Sequence, residues 1–196
     1  MIYSVEGPFL EKTTTLVVVD CGGVGYEVHI SLNTYADLNG IDKGRLYTYQ
    51  HVREDALQLY GFSTLFEKKV FVHLISVSGV GANTARVILS SLRANDVQHA
   101  IIGEDVAALQ SIKGIGAKTA QRIVLDLRDK MLKMDSSNPG AAPTAAQPSS
   151  DKNEAHAALT TLGITPKQAD AVLSKLLKNN PAATTEELVR GALQLL

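Results

Sequence analysis

Apolar and polar residues alternate between positions 26 and 32. Tyr26, Val28, Ile30 and Leu32 are separated by Glu27, His29 and Ser31, the period of a strand with one buried face. Leu16 to Val19 is a β-branched run, and Leu46 to Val52 and Leu57 to Phe62 are two further strand candidates joined by a short charged turn. Ile2 to Glu6 makes a fifth, and Asn33 to Leu38 reads as one helical turn between strands. Five strands within residues 1–62 predict a small closed barrel of the OB type, because closure removes the exposed edges of a sheet.

From residue 63 the period becomes helical. Thr64 and Glu67 have the spacing of a capping box, and Val70, Phe71, Leu74 and Ile75 fall on one helical face. Asn95 is expected to cap a short helix ended by Gly103, and a long helix is expected from about Ala117 to Met134. Residues 136–150 hold three of the six prolines and no large apolar or charged side chain. Such a stretch buries too little surface to offset its ordering entropy, and residues 135–153 are expected to be a flexible linker. Residues 154–196 predict a three-helix unit. Thr165-Pro166-Lys167-Gln168 and Thr184 with Glu187 supply helix starts, and Ala169, Val172, Leu173, Leu176, Leu188, Val189 and Leu193 the apolar faces. A unit with so little core suits docking better than a cleft.

The central segment contains an internal repeat with an offset of 35 residues. Leu74-Ile75-Ser76-Val77-Ser78-Gly79-Val80-Gly81-Ala82-Asn83-Thr84-Ala85 corresponds to Leu109-Gln110-Ser111-Ile112-Lys113-Gly114-Ile115-Gly116-Ala117-Lys118-Thr119-Ala120. Each copy is a helix end, Gly-apolar-Gly, and a helix start, which is the helix-hairpin-helix pattern. Gly79, Gly81, Gly114 and Gly116 are expected to adopt backbone angles closed to other residues and to leave a phosphate room to approach. The amides that follow sit at a helix N-terminus, where unpaired N–H groups and the positive dipole end favour an anion. Val80 and Ile115 are expected to pin the loops to the core. Lys113, Lys118, Thr119 and Arg122 in the second copy, with Asn83 and Arg86 in the first, are the side chains placed to assist. Contacts of this kind position a protein on DNA without reading sequence. The predicted fold class is therefore multi-domain α+β: an OB-like barrel over 1–62, an all-α double helix-hairpin-helix domain over 63–134, a linker, and a small three-helix domain over 154–196.

Charge sharpens this picture. The chain carries a formal net charge of −1, yet residues 63–135 hold 10 Lys/Arg against 7 Asp/Glu, while residues 1–62 hold 4 against 8. The basic middle favours nucleic acid over a purely protein-docking role. No third glycine follows at dinucleotide-fold spacing, and Ala117 and Ile112 stand where a P-loop needs glycine. No carboxylate with a partner lysine or metal cluster follows either hairpin, which disfavours a glycosylase or nuclease. The five histidines show no metal spacing, and Cys21 has no nearby base to activate it. No catalytic residue, metal or cofactor is expected. A single cysteine, the lack of a leader-like N-terminus and the lack of a long apolar run lead to the expectation of a cytoplasmic protein without a membrane span.

Arg53-Glu54-Asp55-Ala56 lies at a predicted hairpin tip. A solvated turn is the plain reading. A metal or nuclease site is poorer, because adjacent strand residues point to opposite faces. A third reading is a pair of carboxylates aimed at DNA to repel phosphate. Gly22-Gly23-Val24-Gly25 reads as a turn.

These motifs together resemble the RuvA family of Holliday junction-binding subunits. Met1-Ile2 with Gly7, Gly22-Gly23-Val24-Gly25-Tyr26-Glu27-Val28, Val52-Arg53-Glu54-Asp55-Ala56, Leu59-Tyr60-Gly61-Phe62 and the two hairpins carry the resemblance, the second hairpin continuing through Thr119-Ala120-Gln121-Arg122 to Leu127. It is close over residues 1–134. It implies a barrel that builds a homotetramer, or an octamer on DNA, and hairpins that hold the arms of a four-way DNA junction. It also implies a C-terminal unit, 154–196, that binds a RuvB-type AAA+ ATPase, with a junction-resolving nuclease as a further partner. Glu54 and Asp55 fall on the family's acidic pin. The chain departs from the family pattern at Asn83, where lysine is common, and at Ser4 and Glu6, where arginine is common.

Overall fold

The computed structural model describes residues 1–54, 56–135, 148–180 and 183–195. The chain divides into two compact units between residues 137 and 138.

The first unit opens with five strands: β1 (Ser4–Lys12), β2 (Leu16–Asp20), β3 (Gly25–Ile30), β4 (Lys43–Val52) and β5 (Leu57–Phe62), with helix α1 (Leu32–Asp37) between β3 and β4. They close in the order β1-β2-β3-β5-β4. All pairings are antiparallel except β3 with β5. The barrel is thus observed, with changed bounds at β1, which starts at Ser4 rather than Ile2, and at β4, which starts at Lys43 rather than Leu46. β1 runs to Lys12 rather than ending at Glu6, because Gly7 and Pro8, which punctuate a sequence, are here paired with Gly44 and Lys43 of β4. At Gly7 a Cβ would lie 1.8 Å from the Asp20 carbonyl oxygen, so the neighbouring strand approaches too closely for a side chain. Val5, Val17, Val19, Val28, Ile30, Leu46 and Leu59 fill the interior.

Eight helices follow among the described residues, in two groups. In the first unit are α2 (Leu65–Ile75), α3 (Ala82–Ser91), α4 (Ala94–Ile102), α5 (Val106–Gln110) and α6 (Ala117–Asp135). Thr64 caps α2, its hydroxyl accepting from the Glu67 N–H at 3.1 Å. The Glu67 carboxylate does not complete the box. It accepts the hydroxyls of Ser31 and Thr34, each at 2.7 Å, and ties α2 to the barrel. Asn95 is not the cap of α4. Arg93 takes that place without a side-chain bond, and Asn95 sits exposed inside the helix. Gly103 ends α4 as expected from the sequence. Phe71, Leu74, Ile88, Leu89, Ile101, Leu109, Ile123, Leu127 and Met131 form a common helical core that also includes Tyr60 and Phe62 of β5.

The second unit contains α7 (Pro148–Thr161), α8 (Pro166–Asn179) and α9 (Thr185–Leu195) around Ala155, Leu159, Ala169, Leu173, Leu188 and Ala192. Helix α6 reaches Asp135 and α7 begins at Pro148, so both ends of the stretch read as a linker are helical. Proline at a first helical position has its φ already set for the helix, which explains the earlier start. Residues 136–147 lie outside the described residues. At Thr184 the capping box is reciprocal: Thr184 N–H donates to Glu187 at 3.0 Å and Glu187 N–H to Thr184 at 3.4 Å. At Thr165 it is not, because the hydroxyl donates to Gln168 Oε1 at 2.6 Å.

Candidate nucleic-acid interface

The two repeats fold into two alike hairpins, one between α2 and α3 and the other between α5 and α6. In the first, Val80 N–H donates to Val77 O at 3.0 Å. In the second, Ile115 N–H donates to Ile112 O at 3.1 Å. Gly79 and Gly114 have φ of +91° and +92°, a region that costs an L-residue roughly 1–2 kcal/mol. Gly81 differs from the expectation. Its φ of −83° is ordinary, and Gly116 has no positive φ either. The second glycine of each hairpin serves space instead, since a Cβ at Gly81 or Gly116 would meet nothing within 4 Å. Val80 and Ile115 are 5% and 6% exposed and join the helical core, so the loops are pinned while their glycines face out.

Gly81 caps α3 without any side-chain hydrogen bond, which leaves the first-turn amides of α3 available to a ligand. The corresponding start of α6 follows Gly116, whose carbonyl accepts from Ala120 N–H at 3.0 Å. Lys113, Lys118 and Arg122 are exposed around the second hairpin, Asn83 is exposed at the first, and Thr119 and Arg86 are half-buried. The plain alternative for Arg122, an ion pair with Asp126 on its own helix, is not what forms. Its Nη1 donates to the carbonyl of Ser78, in the loop of the other hairpin, at 3.3 Å. Arg86 likewise reaches across an element boundary. Its Nη1 donates to Thr15 O in the β1–β2 loop at 3.3 Å, and its Nη2 to Asn83 Oδ1 at 2.9 Å. His29, half-buried in the adjoining barrel wall, is held below its ordinary pKa by burial and then by the charge of Arg86. Sequence reasoning named both arginines but missed their anchors. The anchors are backbone carbonyls 71 and 44 residues away, and a carbonyl leaves no residue-type signal.

The Arg53–Ala56 tip lies far from these loops in sequence and crowns the β4–β5 hairpin. Val52 pairs with Leu57, and Arg53 N–H donates to Ala56 O at 2.8 Å to close the turn. Glu54 is exposed, and Asp55 lies outside the described residues. Arg53 Nε donates to His51 Nε2 at 2.9 Å, which holds the guanidinium down the strand from Glu54. Val52 and Leu57, 67% and 61% exposed, form an apolar collar that sequence reasoning read only as strand ends. Glu6 is paired with Arg45 at 2.5 Å. Among the described residues no group of three His, Cys, Asp or Glu side chains is placed to hold a metal ion, and no helix is long and apolar enough to cross a membrane.

Comparison with known proteins covers the same regions. Residues 1–61 match the RuvA N terminal domain, residues 71–129 the SAM-like helix-hairpin-helix tandem, and residues 150–196 the RuvA C-terminal domain. A protein of Christiangramia forsetii is 45% identical over 196 residues, the whole of both chains. One of Flavobacterium psychrophilum is 44% identical over 194 residues, 99% of both. One of Cytophaga hutchinsonii is 41% identical over 198 residues, the whole of both. Each is called Holliday junction branch migration complex subunit RuvA. A barrel, two outward-facing hairpins and a third helical unit, matched end to end at this level of identity, place the chain in the RuvA family.

Proposed function

We propose that the protein is the DNA-binding subunit of a branch-migration complex. It binds four-way junctions by their backbone, without reading sequence, in recombination and repair. The observation that carries this reading is the pair of alike hairpins with outward glycines at the starts of α3 and α6, set in the basic segment. The amides of Gly79, Gly81, Gly114 and Gly116 hold phosphates, assisted by Lys113, Lys118, Thr119 and Arg122 at one hairpin and by Arg86 with its partner Asn83 at the other. Val80 and Ile115 act from below by fixing the loops. Glu54 and Asp55 form an acidic tip that repels phosphates converging at the crossover. Repulsion between unit charges near a protein surface is on the order of a few kcal/mol at ~4 Å, enough to bias strand position.

The barrel builds a homotetramer, or an octamer on DNA. The C-terminal unit, with Leu162, Leu193 and Leu195 exposed around a small core of its own, docks a RuvB-type AAA+ ATPase that supplies the motor. A junction-resolving nuclease is a further partner, and the cytoplasm the site of action. The chain itself performs no catalysis.

Replacing Gly81 and Gly116 with valine tests the backbone grip. Affinity is expected to fall alike for junctions of unrelated sequence, because phosphate contacts carry no sequence information. A loss confined to some sequences contradicts it. Release of a base or a nick in the junction by the purified chain would favour the enzymatic alternative.

A further inference from the structure

The two hairpins are alike in backbone and unlike in charge. Under the 35-residue offset, Asn83 occupies the position of Lys118, and Arg86 that of Gln121. The first copy thus lacks a cation in the first turn of its helix and carries one three residues further on. Residues three apart lie on the same helical face, and side chains tilt toward the helix N-terminus. A guanidinium at position 86 therefore reaches back over the first turn, beside position 83. The Arg86–Asn83 hydrogen bond of 2.9 Å shows that it does so.

The other end of the arrangement is rigid. Thr15 O, which accepts from Arg86, also accepts the Ile30 N–H at 3.0 Å and is held by the barrel. Helix α3 is also tied to the start of α1, which follows β3 of the barrel. Ser90 Oγ donates to Arg86 O at 2.8 Å and accepts from Leu32 N–H at 3.1 Å. Asn33 Nδ2 donates to Leu89 O at 2.6 Å and to Leu92 O at 3.1 Å. Arginine brings several donors in a fixed planar fork. With Nη1 and Nη2 each giving one hydrogen to the protein, the remaining N–H groups are left to an anion at the start of α3.

We propose that Arg86 is the phosphate-binding cation of the first hairpin and that Asn83 is a positioning residue, which holds Arg86 against its barrel anchor and does not itself bind DNA. The proposal rests on the junction-binding reading above. It assigns the residues Asn83 and Arg86 separate tasks within it: one aims, the other grips.

A double-mutant cycle on the full chain tests this, with affinity for a synthetic four-way junction measured over a range of salt. Arg86→Gln should weaken binding about tenfold or more, as loss of a charge-assisted contact does, and reduce the slope of log affinity against log salt by about one per lost phosphate contact. Asn83→Ala should weaken binding alone and add nothing in the Arg86→Gln background. Asn83→Lys in that background should restore affinity and slope by returning the cation to the Lys118-like position. An Asn83→Ala loss that persists without Arg86 overturns the division of tasks, because Asn83 then touches DNA itself. No loss from Asn83→Ala in the wild-type chain overturns the positioning role, and failure of Asn83→Lys to rescue overturns the phosphate site. All effects are ratios to the wild type on the same DNA. Wild-type preference for junction over duplex is read separately, so the inference can fail while the functional reading stands.

Discussion

At the scale of single residues, the four hairpin glycines separate into two kinds, and the separation is measurable. Gly79→Ala and Gly114→Ala force an L-residue to a φ near +90° and should cost roughly 1–2 kcal/mol of stability each, read as a lower melting temperature. Gly81→Ala and Gly116→Ala add a methyl group into open space at backbone angles any residue adopts, so melting should stay within a degree or two while junction affinity falls. Equal melting losses at all four positions would contradict the assignment. The Gly-apolar-Gly pattern was legible in the sequence, as were the inward Val80 and Ile115. The division of labour between first and second glycine was not, because φ is a property of the folded turn. The anchors of Arg86 and Arg122 were hidden for a related reason: the sequence reads periodicity and residue type, and both contacts end on carbonyls.

At the scale of elements, the barrel and the hairpin helices are joined by a polar seam. Glu67, buried at the start of α2, accepts the hydroxyls of Ser31 and Thr34. Asp37 of α1 accepts from Ser63 at 2.7 Å and from Arg93 at 3.4 Å. Burial pushes the Glu67 carboxyl above the usual carboxylate range, against the lowering effect of those hydroxyl bonds, while the nearby Asp37 raises it further. A carboxyl whose folded-state pKa exceeds its unfolded value contributes its stability in full below the unfolded value. It loses that stability as pH rises through the folded one. Glu67→Gln removes the titration and keeps an acceptor and a donor for the two hydroxyls. The melting temperature of Glu67→Gln relative to wild type should therefore climb as pH is raised from about 4 toward neutrality. A difference independent of pH would show that the carboxyl does not titrate in that range. Thr64→Ala, which removes the cap of α2, should cost about 0.5–2 kcal/mol at every pH. The capping residue Thr64 was visible in the sequence. The destination of Glu67 was not, because a capping-box spacing names a local partner and the fold offered two hydroxyls from α1 and its cap. Asn95 failed as a cap for the converse reason: Arg93 has the extended backbone that a cap needs, and the helix simply starts earlier.

At the scale of the whole molecule, the connections in the first unit form a sequence of supports. The barrel holds α3 through Thr15 and α1 holds it through Leu32 and Asn33, while the loop of the first hairpin, through Ser78, receives Arg122 from the second. Arg122→Gln should then do more than remove one cation. It should loosen the spacing of the two hairpins and raise amide exchange at Ser78 to Gly81, a change that loss of a phosphate contact alone does not produce. The C-terminal unit has its own core of small and branched side chains. A chain ending at residue 137 is expected to keep junction affinity within a few-fold and to lose all stimulation of a RuvB-type ATPase, the partner proposed for the C-terminal unit. The alternation of strands, the change to helical period at residue 63 and the repeat make this architecture legible in the sequence. Helix α7 was the exception, since its first residues share the proline- and serine-rich composition of the stretch before it.

Recognition of a four-way junction by its shape, through the DNA backbone, is tested by a side-by-side measurement of affinity for a synthetic junction and for linear duplex of equal length at physiological salt. A strong preference for the junction is expected, with both affinities falling steeply as salt rises. Equal affinity for the two would contradict it and leave a generic double-hairpin DNA binder.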